Sequence, residues 1–557
     1  MDPVVVDDVN ALNWNCSADV VVIGYGGAGA AAALDAREQG AEVVVVERFG
    51  GGGATRYSGG IIYAGGTRFQ KEAGYDDDSE KMCAYLAMEV GDAVRPETLR
   101  RFCDGSAADL DWLISHGVRF ASSVYKEKTT FPPEGKFLYF SGNEKTSRFA
   151  AKTPPMPRGH RVFGPGYGGV PYFAAMAGSV DRLGVDVRRH EKANRLIVDK
   201  AGRVVGVEVI SLPPSFHERH EKLYRKISPY VPFRNRTYEK LLAALHDLET
   251  KEGRALLIRA RSGVVLATGG FPFNREQVAR YNPGLAANYP LLQRLAMPGS
   301  DGSGIELGVS VGGATGYMDS FLVNRVLAPP AAQVRGVLVN EQGRRFVNED
   351  AYIAVVGSAI SKQSEGTAWL IFSARDFRRT IRQSLFSGWY MLKFFGGQAL
   401  LNLILGGTKR HRRLDRLAAA CGIDPAALVE TAMEHDRAIV ENRPDELGKV
   451  NDCRDLLGDG PYYAVNMSMW NRYSLTIFMT LGGLTVNEET GAVTRADGSE
   501  VTGLHAAGMS AVGLHSNGYI SGLSLADGVF SGRRAGRHAA AGVRSSNETG
   551  RTADGVV

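Results

Sequence analysis

The residues with the clearest chemistry lie near the start of the chain. Gly24-Tyr25-Gly26-Gly27-Ala28-Gly29 has the GxGxxG spacing, and Glu47 stands eighteen residues beyond it. Gly24 permits a tight turn, Gly26 lets the backbone approach a pyrophosphate, and Gly29 lets a helix pack closely on a strand. A helix opening there directs free N–H groups at phosphates, and the Glu47 carboxylate can accept hydrogen bonds from a ribose. The flanking sequence supplies the context that a lone glycine motif lacks. Asp19–Ile23 is a short apolar run that reads as a buried parallel strand. Ala30–Gln39 is alanine-rich and helical, Gly40 stops it, and Ala41–Val46 is a second buried strand ending at Glu47.

A second glycine-rich loop follows directly. Arg48 leads into Gly50–Gly53, then Ala54, Thr55, Ser58, Gly59 and Gly60. Such a loop lets a long, bent cofactor pass deep into the protein. Two further pieces lie far along the chain: Val265-Leu266-Ala267-Thr268-Gly269-Gly270, and Ala506-Ala507-Gly508-Met509 followed by Gly518–Gly536.

The intervening elements are legible in outline. Glu80–His116 is helical; Leu196–Ser211 is a strand pair turning at Lys200–Arg203. Pro213–Gly253 interrupts two strands as a polar, basic, aromatic insertion, and a strand pattern resumes at Ser262–Thr268. Gly336–Asn340 and Gly343–Val347 read as a hairpin, Leu414–Asn442 as two helices with Asp424-Pro425 opening the second, and Ser524–Ala541 as a last alanine-rich helix.

The chain has 557 residues, 44% hydrophobic and 22% charged, which excludes a disordered, collagen-like or coiled-coil chain. Glycine, at 68 residues, is well above its usual share of about 7%. The five cysteines at 16, 83, 103, 421 and 453 form no CxxC pair and no metal-ligand spacing. With no basic apolar leader at the N-terminus, they point to the cytoplasm. Between Arg375 and Arg416 ten Lys/Arg face two Asp, and between Leu212 and Arg261 eleven face six acids, although the whole chain is only +5. These segments read either as solvated basic faces or as contacts with a membrane surface, which would make the protein peripheral. No nucleic-acid-binding motif accompanies the charge.

Together these motifs resemble the fumarate reductase/succinate dehydrogenase flavoprotein superfamily. Its members share the GxGxxG…Glu start, the SGG loop (here Ser58-Gly59-Gly60), the ATGG strand end and the C-terminal AAG segment. The ending Gly518-Tyr519-Ile520-Ser521-Gly522-Leu523-Ser524-Leu525-Ala526-Asp527-Gly528, continuing to Gly536, is similar to that of the 3-ketosteroid Δ4-(5α)-dehydrogenases. The resemblance implies an α/β fold: a Rossmann-like FAD-binding domain assembled from discontinuous segments, with an inserted α+β substrate-capping domain. The expected division is an FAD-binding domain over 1–320 (with the insertion at about 212–255), a capping domain over 321–480, the C-terminal part of the FAD-binding domain over 481–545, and a disordered tail over 546–557.

The resemblance also implies roles. Non-covalent FAD would be held by Gly24, Gly26, Gly27, Ala28, Gly29, Glu47, Arg48, Ala54, Thr55, Ser58, Gly59, Gly60, Ala267, Thr268, Gly269, Gly508, Met509, Ser524 and Leu525. Met509 stands where many members carry Glu. Tyr519 and Ser521 match two substrate-facing positions, and Tyr352, after the Leu338–Asp350 motif, matches the third. The implied reaction introduces a C=C bond beside the ketone of an apolar, steroid-like substrate: an α-proton is abstracted, a β-hydride passes to flavin N5, and an external acceptor takes the electrons. Tyr519 and Tyr352 would polarise the ketone, and Ser521 would transfer the α-proton. The alternatives are an enoate or fumarate-type reductase and a non-steroid lipid-binding flavoprotein. Against the fumarate reductases, the arginines and histidines that hold a dicarboxylate are missing: Tyr519 replaces an arginine, and no HPT-type segment occurs. His515 is a further candidate for the flavin edge, Gly164–Gly169 for a pocket wall, and His160 reads as a surface or capping residue.

Overall fold

The computed structural model describes residues 2–227, 235–386 and 388–541; the tail expected over 546–557 lies outside them. A nine-stranded sheet forms the centre. Its strands are β1 (Val4–Val6), β2 (Cys16–Ile23), β3 (Val43–Glu47), β4 (Asp186–Arg189), β5 (Glu191–Asp199), β6 (Val204–Ser211), β7 (Arg254–Leu266), β8 (Ala492–Thr494) and β9 (Glu500–Ala506). The order is β1-β5-β6-β7-β2-β3-β4, with β9 also on β7 and β8 on β9. β2 and β3 are valine-rich and buried on both faces, as parallel strands covered by helices must be.

The parallel part brings the distant motifs together. Val46 pairs with Ile23, Ile23 with Leu266, and Leu266 with Ala506. Glu47, Gly24, Ala267 and Ala507 therefore leave the sheet from one edge, at the carboxyl ends of their strands, where open α/β sheets bind ligands. β7 serves both halves of the sheet. Its first half pairs antiparallel with β6, and after a register shift between Ala260 and Gly263 its second half pairs parallel with β9.

Four helices matter most to the cleft: α1 (Gly27–Glu38), α2 (Pro214–Arg225), α3 (Asn235–Glu252) and α4 (Leu523–Ala539). α1 and α4 pack on each other through small residues. A Cβ at Gly532 would lie 2.5 Å from the Ala28 carbonyl oxygen, and one at Gly536 would lie 2.1 Å from that of Ala32. Only glycine permits that approach. The insertion expected between two strands is the α2–α3 pair, and it joins the antiparallel strands β6 and β7.

Smaller sheets carry the rest. One pairs Ile61–Tyr63, Gly159–Arg161, Leu138–Tyr139 and Val124–Tyr125; another pairs Gln293–Arg294, Thr476–Thr480 and Phe321–Arg325. A third joins Val337–Val339, Trp369–Ser373, Tyr462–Asn466 and Lys409–His411. The hairpin expected over 336–347 is present in a short form: the Asn340 N–H donates to the Arg344 carbonyl, the Gly343 N–H to the Asn340 carbonyl, and one antiparallel bridge, Val339 to Arg345, joins the arms, while Val337–Val339 also pairs with Trp369–Ser373. Arg345, the bridging residue, also forms buried ion pairs with Glu349 and Asp445.

The sequence-based helices over Leu414–Asn442 are present as Leu414–Cys421 and Pro425–Val440, and the Asp424 side chain caps the second by accepting from the Ala427 N–H. All five cysteines are free thiols. Among the described residues, no helix is long and apolar enough to cross a membrane.

Candidate active site

One cleft runs along the edge of the sheet where the motifs meet. Gly24 takes a φ of +100°, and a Cβ there would lie 2.5 Å from the Ala267 carbonyl oxygen, so the first turn and the ATGG strand end touch. Gly26 caps α1 without a side chain, so the first-turn N–H groups beyond Gly27 have no side-chain cap. The Gly27 N–H donates to Thr55 Oγ1 at 2.9 Å, which ties the first glycine loop to the second. Ser58 Oγ donates to the Thr55 carbonyl and accepts from the Gly60 N–H, fixing the turn that carries Ala54, Gly59 and Gly60 along the wall. Gly29 does not line the cleft; a Cβ there would lie 1.9 Å from the Gly24 carbonyl oxygen, so its role is close packing.

Glu47 is buried and accepts from the Tyr25 and Phe49 N–H groups, both at 2.8 Å. Burial raises its pKa above the ordinary carboxylate value, against those two donors. Each of its oxygens keeps a lone pair for a further donor. Arg48 also lines the cleft, held in partly buried ion pairs.

On the far strands, Ser510 Oγ accepts from the Gly269 N–H at 3.0 Å and lies 3.2 Å from Thr268 Oγ1, joining the ATGG and AAG segments. Gly508 is fastened to α4 through Ser531 Oγ, which accepts from its N–H. Met509 packs in a small apolar cluster with Met479, Leu481 and Tyr519. The first turn of α4 has no side-chain cap, and its Ser524 and Leu525 line the cleft.

Three hydroxyl-bearing side chains face this end of the cleft. Tyr519 Oη lies 3.1 Å from Ser524 Oγ. Ser521 Oγ lies 3.1 Å from the hydroxyl of Tyr139, which donates to the Thr130 carbonyl at 3.1 Å. Tyr352 is buried and lines the same cleft as Tyr519 and Ser521. Burial pushes all three phenols up in pKa, so they stay protonated and act as donors. Of the side chains lining the cleft among the described residues, only Arg48 and Lys192 are cationic, and both stand at the Glu47 end.

The structure adds residues that the sequence did not mark. Tyr139 stands behind Ser521 on a short buried strand. Asn143 fixes the backbone of Tyr352: its Oδ1 accepts from the Tyr352 N–H at 2.6 Å, and its Nδ2 donates to Glu89 Oε1 at 2.8 Å. Glu89 also accepts from the Tyr85 hydroxyl at 2.5 Å. Two expectations are corrected. His515 does not line the cleft; it is buried against Asp527, with Nδ1 2.5 Å from Oδ2. His160 is no surface residue: it is fully buried between the Arg158 carbonyl and Thr67 Oγ1. Tyr167, from the Gly164–Gly169 loop, does line the cleft.

The arrangement fits FAD. It offers a helix terminus with free N–H groups for the pyrophosphate, a buried carboxylate for the ribose, and a second uncapped terminus at the hydroxyl cluster. The FAD binding domain family matches residues 19–525. The chain is 36% identical over 521 residues to a 3-oxo-5-alpha-steroid 4-dehydrogenase of Comamonas testosteroni, covering 90% of this chain and 94% of that protein. It is 25% identical over 533 residues to a fumarate reductase (cytochrome) of Shewanella frigidimarina, covering 94% and 77%. The crystal structure of 3-ketosteroid-Δ4-(5α)-dehydrogenase from Rhodococcus jostii RHA1, in complex with 4-androstene-3,17-dione, matches with a TM-score of 0.80 and 29% identity, covering 97% of this chain and all of that one.

Glu89 yields a pH prediction. Burial raises its pKa to about 7 from an ordinary 4.5, despite its two donors. Between those values the folded state holds a proton that the unfolded state has lost, so the contribution of Glu89 to stability falls as pH rises from about 4.5 to 7. Melting temperatures measured across that range should therefore drop more steeply for the wild type than for Glu89→Gln; parallel curves would contradict the assignment. With glycine loops, carboxylate and strand ends all gathered at one cleft, the chain belongs to the FAD binding domain family of flavoprotein oxidoreductases.

Proposed function

We propose that this flavoenzyme is a 3-ketosteroid dehydrogenase of the Δ4-(5α) type. The observation that carries this reading is the end of the cleft itself: three neutral hydroxyls, Tyr519, Ser521 and Tyr352, beside apolar Ile353, Ile477 and Met479, with no cation among them. A dicarboxylate would need charged partners there; a neutral ketone needs only donors. The similarity to two steroid dehydrogenases supports the same substrate class.

The residues divide the work by position. Tyr519 and Tyr352, kept protonated by burial, donate to the ketone oxygen and stabilise the charge that develops there as the α-carbon loses its proton. Tyr139 gives its one proton to the Thr130 carbonyl, so it accepts from Ser521, and the Ser521 lone pairs remain for the α-proton. Ser521 would thus relay the α-proton: it takes that proton on its oxygen as its own passes to Tyr139 Oη, and Tyr139 in turn releases its hydroxyl proton to solvent. Bound FAD supplies the hydride acceptor for the β-carbon. The two electrons then leave to an external acceptor.

Mixing the oxidised protein anaerobically with a saturated 5α-3-ketosteroid should bleach the flavin and yield the Δ4-3-ketone. Fumarate should not reoxidise the reduced protein. Bleaching absent with the ketosteroid, together with turnover of an unsaturated acid, would replace this reading by the reductase one.

We also propose that the protein is cytoplasmic and rests on a membrane surface through the segment after Leu385. Phe386, Trp389 and Ile404 are 80%, 79% and 75% exposed, and Lys409–His411 is an exposed basic strand beside them in sequence. Trp389, Lys393 and Ile404 are exposed, whereas Met391 and Leu403 are buried and Phe395 lines the cleft. That is the pattern of a helix lying in a bilayer interface, here with a wall of the substrate cleft on its other face. Co-sedimentation with vesicles containing anionic lipid should occur at low salt and be lost in Phe386→Ser/Trp389→Ser. Wild-type protein left in the supernatant would contradict the membrane contact and leave the assigned reaction intact.

A further inference from the structure

The α2–α3 excursion has no role in the reaction just described, yet it contributes to the cofactor cleft. It lies at the Glu47 end. Tyr224 of α2 lines the cleft and stacks on Phe49, with ring centroids 4.2 Å apart and planes 19° apart. His220, one turn earlier, stacks on the same ring at 5.0 Å. Phe49 is the second residue after Glu47, and its own N–H holds the Glu47 carboxylate.

A partly buried ion pair makes the second attachment. Glu249 of α3 takes Arg48 in a two-pronged contact, with Oε1 2.6 Å from Nε and Oε2 2.9 Å from Nη2. Asp301 takes the remaining prong at 2.8 Å, and His220 Nε2 stands 3.1 Å from Glu249 Oε1. The neighbouring charges, chiefly Arg48, hold the Glu249 carboxyl well below the ordinary range against the cost of burial. Around these contacts Phe49, Tyr224, Ile227, Tyr238, Leu245 and Met297 form an apolar cluster of their own. Phe49, Tyr224 and Met297 of that cluster line the cleft.

We propose that the α2–α3 excursion is a clamp on the adenosine half of FAD. Glu47 marks where the ribose is held, and the excursion fixes the two side chains that follow it, Arg48 and Phe49, as a rigid cationic and aromatic wall for the purine. A free Arg48 would have many rotamers to lose on binding; the Glu249–Asp301 pair removes that cost beforehand. The clamp therefore acts on retention of the cofactor and leaves the chemistry at the hydroxyl cluster to other residues.

The test is the rate of FAD release from holoenzyme diluted into flavin-free buffer, followed by the rise in flavin fluorescence. Glu249→Ala and Tyr224→Ala should each release FAD at least about tenfold faster than wild type, and Arg48→Ala/Glu249→Ala should release it no faster than Arg48→Ala alone, because the two residues act as one unit. Unchanged release in both single variants would overturn the proposal. So would faster release matched by an equal loss of apoprotein thermal stability, which would mark the excursion as a general brace. Release requires no steroid, so its outcome is independent of the substrate assignment.

Discussion

The cleft depends on how closely α1 and α4 approach. The Ala28 and Ala32 carbonyls lie where any side chain at Gly532 or Gly536 would be. This contact joins elements about five hundred residues apart in sequence and sets two helix N-termini side by side at the same sheet edge. One presents Gly27 and Ala28 at the GxGxxG turn; the other presents Ser524 and Leu525 beside Tyr519 and Ser521. A dinucleotide carries negative phosphates at its middle and a flavin whose reduction develops negative charge, and both are favoured at the positive ends of helices. Chain topology follows from the same contact: the FAD-binding unit closes only when the last helix returns to the first, so the substrate-facing insertions must lie between.

Much of this architecture was legible because the motifs are strand ends. Parallel strands buried on both faces are continuous valine-rich runs, and the residues after them, Gly24, Glu47, Ala267 and Ala507, necessarily emerge at one edge. Legibility was weaker where ion pairs join distant segments. Gly343–Val347 gives a single bridge to the first arm, and Arg345 pairs with Glu349 four residues on and with Asp445, a partner that no local pattern announces. The insertion's limits could be read from composition; its place over Arg48 and Phe49 could not, because nothing local to α2 or α3 points to Glu47.

The site divides similarly. Tyr519, Ser521 and Tyr352 were reachable through motif resemblance, and the structure brings them together. Tyr139 sits in Phe137-Leu138-Tyr139-Phe140, an apolar run in which one phenol looks like packing; only its contact with Ser521 Oγ reveals it. Asn143 and Glu89 act one step further back, through the Tyr352 backbone, and leave no local sequence signal. His515 misled for the opposite reason: its position beside the flavin motif suggested chemistry, whereas its imidazole serves Asp527.

Burial sets the division of labour among these hydroxyls. Desolvation keeps the phenols neutral, which makes them good donors to a ketone, and in the proposed reaction the α-proton moves by relay through the Ser521–Tyr139 hydroxyl pair. The most direct measurement is the single-turnover rate of flavin reduction in Ser521→Ala with a 5α-3-ketosteroid. The account predicts a rate lower by about a hundredfold or more, the usual size of a general-base contribution, with steroid affinity retained. A wild-type rate in that variant would contradict it.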